Sequence, residues 1–178
     1  MSHDTEKEQS VSFPELSTDR LILRQVKGDD DNEIFRLRSD EKVNMFLDRP
    51  GAETIVDAQK FIHKINEGIS KNEWLYWAIT LKNSNKLIGT ICLWNLSVKH
   101  SKAEIGFELL PEYQGLGIMR EALAKIIEYG FENKSLHLIE GEVDPENKKS
   151  VKLLKKFGFV YTRKSKNTVI YSLFSRDE

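Results

Sequence analysis

Apolar positions along the chain switch several times between a period of two and a period near 3.6, and the switches outline a mixed domain. Arg20-Leu-Ile-Leu-Arg-Gln-Val26 alternates as a half-buried strand does. Gly28 and the acids Asp29–Asp31 break it, and acids in a first turn favour a helix through Ile34, Phe35, Leu37 and Arg38. After Pro50-Gly51, Thr54 is placed to cap a second helix carrying Val56, Phe61, Ile62 and Ile65 down to Gly68. Leu75–Leu81 and Leu87–Leu96 read as strands joined by the turn Lys82-Asn-Ser-Asn85, and Ala103–Leu110 reads as a third, closed by Pro111. Past Gly117 the pattern becomes helical, with Met119, Ala122, Leu123, Ile126, Ile127, Gly130 and Phe131 on one face. Leu136–Val143 is strand-like, Asn147–Phe157 a short amphipathic helix ended by Gly158, and Phe159–Thr162 with Val169–Phe174 a final hairpin. Hairpins combined with a strand–helix–strand crossover predict an α/β (α+β) sheet covered by helices, with no internal repeat or linker.

Composition narrows the class. At 178 residues, with 39% hydrophobic and 31% charged, the chain suits one domain with a real core. Lys and Arg number 27 against 28 Asp and Glu, a net charge of −1, which argues against a basic nucleic-acid coat. The single Cys92 excludes a disulfide scaffold and a cysteine-based zinc site. No apolar run approaches the ~18 residues that span a bilayer, and Met1–Ser12 is polar, so a cytoplasmic protein without a leader is expected. A polar N-terminal arm is expected over residues 1–16 and the domain over 17–178.

The chemistry-bearing segment is Ile105-Gly-Phe-Glu-Leu-Leu-Pro-Glu-Tyr-Gln-Gly-Leu-Gly-Ile-Met119. A strand ends, two glycines follow two residues apart, and a long helix starts at once. Glycines let amide hydrogens turn towards one point, and the helix start adds its positive end, which together make a phosphate cradle. The same glycines also serve a plain tight turn. A dinucleotide fingerprint fails because Arg120 stands where its third small residue belongs, and no Gly-Lys-Ser/Thr ending exists for a P-loop. From Lys148 to Lys166 there are eight basic residues and no acid (Lys148, Lys149, Lys152, Lys155, Lys156, Arg163, Lys164, Lys166), a rim that would steer an anion unless it is simply a solvated face.

Four motifs in order resemble the GNAT superfamily of N-acetyltransferases, in particular its ribosomal-protein N-terminal (RimJ/RimL-like) branch. They are Thr18-Asp-Arg-Leu-Ile-Leu-Arg24, Ala103-Glu-Ile-Gly-Phe107, the loop Gln114-Gly-Leu-Gly117-Ile-Met119, and Asn147-x-x-Ser150-x-x-Leu153-x-x-x-Phe157-Gly-Phe159. Met119 departs from the loop pattern, where a small residue is usual. The resemblance covers about residues 17–174 and implies a seven-stranded mixed sheet splayed between its fourth and fifth strands, flanked by about four helices. It also implies acetyl-CoA as cosubstrate and no metal. The backbones of Leu109 and Leu110 would pair with the pantothenyl arm, the amides of Gln114, Gly115, Leu116, Gly117, Ile118 and Met119 would hold the pyrophosphate, and Asn147 would touch the arm from the far side.

Direct transfer needs a neutral amine. Deprotonating a lysine-like amine at pH 7 costs about 4.6 kcal/mol and an α-amine only about 1.4 kcal/mol, so a base matters far more for the first. Glu104 matches the family's glutamate base, and Glu108 shares its strand face four residues on; either is equally an ordinary surface or ion-paired glutamate. The family's tyrosine acid falls on Leu154 and is therefore missing, whereas Ser150 matches the serine proposed as acid in the ribosomal branch; alternatively it bonds backbone in the first turn. Cys92 reads as a small core residue, and His3, His63, His100 and His137 lack metal-like spacing. Trp74, Tyr76, Trp77 and Trp94 read as packing residues, one of which could line an acceptor groove, and Asp29–Glu33 could attract a cationic acceptor. The expected partner is an amine acceptor, with no nucleic acid or membrane, for a monomer or homodimer. A protein N-terminal α-amine of ribosomal type is the favoured acceptor; a polyamine or other small amine, or a non-catalytic acyl-CoA-binding module, are the alternatives.

Overall fold

A computed structural model describes residues 12–176. The strands are β1 (Leu16–Ser17), β2 (Leu21–Gln25), β3 (Leu75–Leu81), β4 (Leu87–Ser97), β5 (Lys102–Leu109), β6 (Leu138–Val143), β7 (Val160–Ser165) and β8 (Thr168–Phe174). The helices are α1 (Asp31–Ser39), α2 (Glu41–Asn44), α3 (Ile55–Ser70), α4 (Ile118–Glu132) and α5 (Lys148–Lys156). One sheet runs β1-β2-β3-β4-β5-β6-β8-β7. Every neighbouring pair is antiparallel except β5 and β6, which α4 connects as a parallel crossover.

Each element follows from its side-chain period. β2 and β3 send Leu21, Leu23, Trp77 and Ile79 to one face, where they join Ile118, Ala122, Leu123 and Ile126 of α4 in the larger core. Leu123 and Ile126 are fully buried, each contributing about 1.5–3 kcal/mol by area. On the opposite face α1 and α3 bury Ile34, Leu37, Ala58 and Ile62 against Val26, Ala78 and Leu87. Thr54 begins α3 as a capping box, with the Asp57 carboxylate accepting its N–H at 3.1 Å.

Eight strands stand where seven were expected. The extra one, β1, is two residues long and follows a tail that packs inward: Phe13 meets the Trp77 ring edge-on at 5.8 Å, and Pro14 O accepts from Trp77 Nε1 at 2.8 Å. The expected arm over 1–16 therefore differs at its described end, because residues 13–16 belong to the folded body; residues 1–11 lie outside the described residues. The one-turn helix α2 was also unanticipated, and the Asp40 side chain caps it by accepting from Val43 N at 2.9 Å.

Topology leaves one opening. β5 and β6 pair only through Lys102–Leu138, Ala103–Ile139 and Glu104–Glu140, after which they diverge. Ile105–Leu109 thus present an edge to a gap whose mouth lies at the start of α4.

Candidate active site

The loop between β5 and α4 is built to expose amide hydrogens. After a 3-10 turn at Pro111–Tyr113, Gly115 and Gly117 adopt φ of 78° and 76°, the left-handed region that a Cβ disfavours. The first backbone hydrogen bond of α4 runs from Glu121 N to Gly117 O at 3.1 Å. Among the described residues the N–H groups of Gly115, Leu116, Gly117, Ile118 and Met119 meet no protein acceptor. The loop carbonyls are instead tied inward. Gln114 Nε2 donates to Leu109 O at 2.9 Å, and Arg20 Nη1 donates to Leu116 O at 2.9 Å. Arg20 Nε also grips Glu121 Oε2 at 2.7 Å, while Thr18 Oγ1 donates to Glu121 Oε1 at 2.6 Å. Burial raises the Glu121 carboxyl, but the donors from Thr18 and Arg20 outweigh it and hold the group below its ordinary range. With carbonyls braced and amides open, the loop presents a concave set of donors at a helix start, which suits a diphosphate.

The free edge of β5 continues from this loop. Leu110 N–H donates to Ile88 O at 2.9 Å, and Leu110 O accepts from Tyr113 N at 3.0 Å. Leu110, expected to pair with the cofactor arm, therefore has both backbone groups engaged within the protein. Alternation along the strand turns the Leu109 N–H the other way, into the gap. A thioester arm entering there would find a strand edge to pair with, so the residues present fit coenzyme A.

Across the gap, Asn147 caps α5 by accepting from Ser150 N at 3.4 Å. Ser150 Oγ makes no hydrogen bond among the described residues and is half-buried. Leu154 is buried and lies in the core under Gly141, where an added Cβ would come within 3.1 Å of its Cδ1. No acid occupies that position. Lys148, Lys149, Lys152, Lys155 and Lys156 are exposed along α5. Arg163 leaves the anticipated basic rim: it sits on β7 and pairs with Glu140 Oε2 at 2.8 Å.

The two glutamates of β5 have different surroundings. Glu104 is the last β5 residue paired to β6, so the gap opens directly beyond it. Asn95, at a β4 irregularity with φ 51°, donates from Nδ2 to Glu104 Oε1 at 3.0 Å. Glu104 Oε2 is buried and is the one such side-chain atom without a hydrogen-bond partner among the described residues. Glu108 is instead held by Arg49 Nη2 at 2.6 Å and accepts from Thr90 Oγ1 at 3.3 Å. Arg49 is fixed in turn by Asn44 Oδ1 at 2.8 Å, and the Tyr76 hydroxyl lies 3.2 Å from Thr90 Oγ1. Burial and then the Glu108 charge raise the Tyr76 phenol far above its ordinary range. The same two causes push the Cys92 thiol up to about 12, so it is no nucleophile.

The remaining candidates separate clearly. Trp77 is core, Trp74 packs on Gly68 and donates to Ile65 O at 2.9 Å, and Trp94 is exposed opposite Glu104. Asp30 is unavailable to a cationic acceptor, because it forms a buried bidentate pair with Arg24 at 2.8 and 2.9 Å. No group of three or more His, Cys, Asp or Glu able to hold a metal occurs among the described residues, and His3 lies outside them. Sequence reasoning passed over Arg20, Arg49 and Asn95. Arg20 alone stood in a quoted motif; the others bear no local signal.

Comparison with known proteins gives a consistent picture. The family model described as "Acetyltransferase (GNAT) domain" matches residues 20–160. The uncharacterized N-acetyltransferase YoaA of Bacillus subtilis (strain 168) is 36% identical over 147 residues, 83% of each chain. A putative ribosomal-protein-serine acetyltransferase from Vibrio cholerae superposes with a TM-score of 0.81 at 22% identity, covering 91% of this chain and 98% of that one. A ribosomal-protein-S5-alanine acetyltransferase from Vibrio fischeri gives 0.80 at 24% identity, covering 92% and 98%. The gap, the amide cradle and the family match over most of the chain agree, and the protein belongs to the GNAT family of N-acetyltransferases.

Proposed function

We propose that this N-acetyltransferase uses acetyl-CoA to acetylate a primary α-amine, of the kind found at a protein N-terminus, by direct transfer in a ternary complex. The observation that carries the proposal is the buried, unpartnered Glu104 Oε2 at the point where β5 and β6 part. Acetyl-CoA, when bound, supplies an activated acetyl thioester. The amides of Gly115–Met119 would hold its diphosphate and the Leu109 N–H would pair with its arm, with Asn147 at the opposite wall. Glu104 Oε2 accepts the proton that the acceptor amine sheds as nitrogen bonds to the acetyl carbon, and the carbon–sulfur bond breaks. Ser150 Oγ–H, without a hydrogen-bond partner among the described residues, would donate towards the departing sulfur.

The sparse acid–base equipment favours an α-amine. Glu108 is occupied by Arg49 and the tyrosine position is a buried leucine, so one carboxylate serves the whole transfer. An amine with pKa near 8 needs only about 1.4 kcal/mol of help at pH 7. The names of the two structural neighbours, both ribosomal-protein acetyltransferases, support the same acceptor class. The test is thiol release from acetyl-CoA over peptide N-termini, polyamines and aminoglycosides. Turnover on peptides is expected; turnover on spermidine but on no peptide would overturn the acceptor.

A further inference from the structure

Beside the Glu108–Arg49 pair stands a second arginine with nothing to hold. Arg38, at the end of α1, lays its guanidinium over the Phe61 ring at 3.8 Å, and Phe61 in turn meets Tyr76 edge-on at 5.9 Å. Among the described residues the Arg38 guanidinium makes no hydrogen bond and no ion pair. It feels Arg49, Glu108 and Tyr76, and burial followed by the Arg49 charge lowers its pKa. The cluster thus holds two guanidinium charges and one carboxylate, a surplus of one positive charge around Glu108. A half-buried guanidinium next to a like charge is unfavourable by itself, and the ring beneath it uses none of its five N–H donors. A guanidinium whose donors are left free in this way matches a carboxylate.

We propose that Arg38, backed by Arg49, is an acceptor subsite for a carboxylate, so that the preferred acceptor is an α-amine accompanied by a nearby carboxylate rather than a polycation. The inference rests on the acceptor reading above and narrows it. Two of the acids that could meet a polyamine, Glu108 and Asp30, are already paired within the protein, with Arg49 and Arg24. The carboxylate has two sources, the main chain of a free amino acid or an acidic side chain near a peptide N-terminus.

The experiment compares kcat/KM for acetyl-CoA-dependent acetylation across matched acceptors. One arm uses peptides beginning Ser-Glu, Ser-Gln and Ser-Lys; the other uses an amino acid against its amide. Preference for the carboxylate member by about 10- to 100-fold in either arm is expected, the size of a charge-assisted hydrogen bond. The arm that shows it identifies the source. Arg38→Gln should collapse that ratio towards one, Arg38→Lys should leave it intermediate, and Arg38→Glu should favour Ser-Lys. Equal rates on all members by the unaltered protein, or an unchanged ratio in Arg38→Gln, would overturn the subsite. Calorimetric titration with acetyl-CoA runs alongside. Tight binding and turnover without a carboxylate preference overturn the subsite alone, whereas absence of acetyl-CoA binding overturns the underlying reading with it.

Discussion

Replacing Gly117 tests the cradle because steric strain and charge can be separated at one position. Gly117 sits at φ 76°, where an L side chain costs about 1–2 kcal/mol. A Cβ built there would lie 3.4 Å from Arg20 Nη2, an ordinary contact with the end of a flexible side chain, so Gly117→Ala meets no wall. Its cost falls on stability, a drop of roughly 2–8 °C in Tm for a chain of this size. Gly117→Asp carries comparable strain and adds a carboxylate to the loop, taken here at a separation on the order of 6 Å from each phosphate charge. In a water-like dielectric each phosphate charge would repel it by about 0.7 kcal/mol, hence about 1.4 kcal/mol for two, a tenfold loss. The new carboxylate would also compete for Arg20, drawing it from Leu116 O and loosening the carbonyl brace. Calorimetry at low salt should therefore show acetyl-CoA affinity weakened at least about tenfold by Asp and at most about threefold by Ala, with the difference shrinking as salt rises. Equal affinity for the Asp variant and the unaltered protein at low salt would refute the placement.

Three further outcomes follow from the same geometry. Glu104→Gln should lower kcat/KM about tenfold at pH 7 on an α-amine, with the deficit closing by about pH 9, as a pH–rate profile would reveal; a pH-independent deficit would deny Glu104 the proton. Asp30→Ala strands Arg24, whose side chain is only 7% exposed, and urea unfolding should register a loss of about 3–5 kcal/mol. The folded pKa of Glu121 lies below its unfolded value, so its stabilisation is complete above about pH 4.3 and disappears as pH falls through the folded value. Melting curves of the unaltered protein and Glu121→Gln should accordingly differ at pH 7 and converge on acidification below about pH 4.3.

Periodicity carried most of the fold because strands such as Leu75–Leu81 and the helix after Gly117 are long enough to show a repeat. The four residues of α2 and the two of β1 are too short to establish one. The open loop was legible because two glycines two apart before a helix leave a local trace. Its brace was not, since Arg20 and Glu121 are 101 residues apart in sequence. Strand alternation put Glu104 and Glu108 on one face but was silent on what meets them there. Arg49 arrives from a loop 59 residues before Glu108, and Asn95 reaches Glu104 through a strand irregularity. Asp30 shows the converse, a residue whose helix-start context was readable while its burial against Arg24 was not.

In the proposed complex the amides of the loop and the β5 edge receive a diphosphate and its arm. Residue-resolved amide hydrogen exchange, with and without acetyl-CoA, measures this directly. Protection should appear at Leu109 and across Gly115–Met119, while the already bonded Leu110 amide should change little. Acetyl-CoA binding that leaves those amides exchanging at their free rate, with protection elsewhere, would contradict the account.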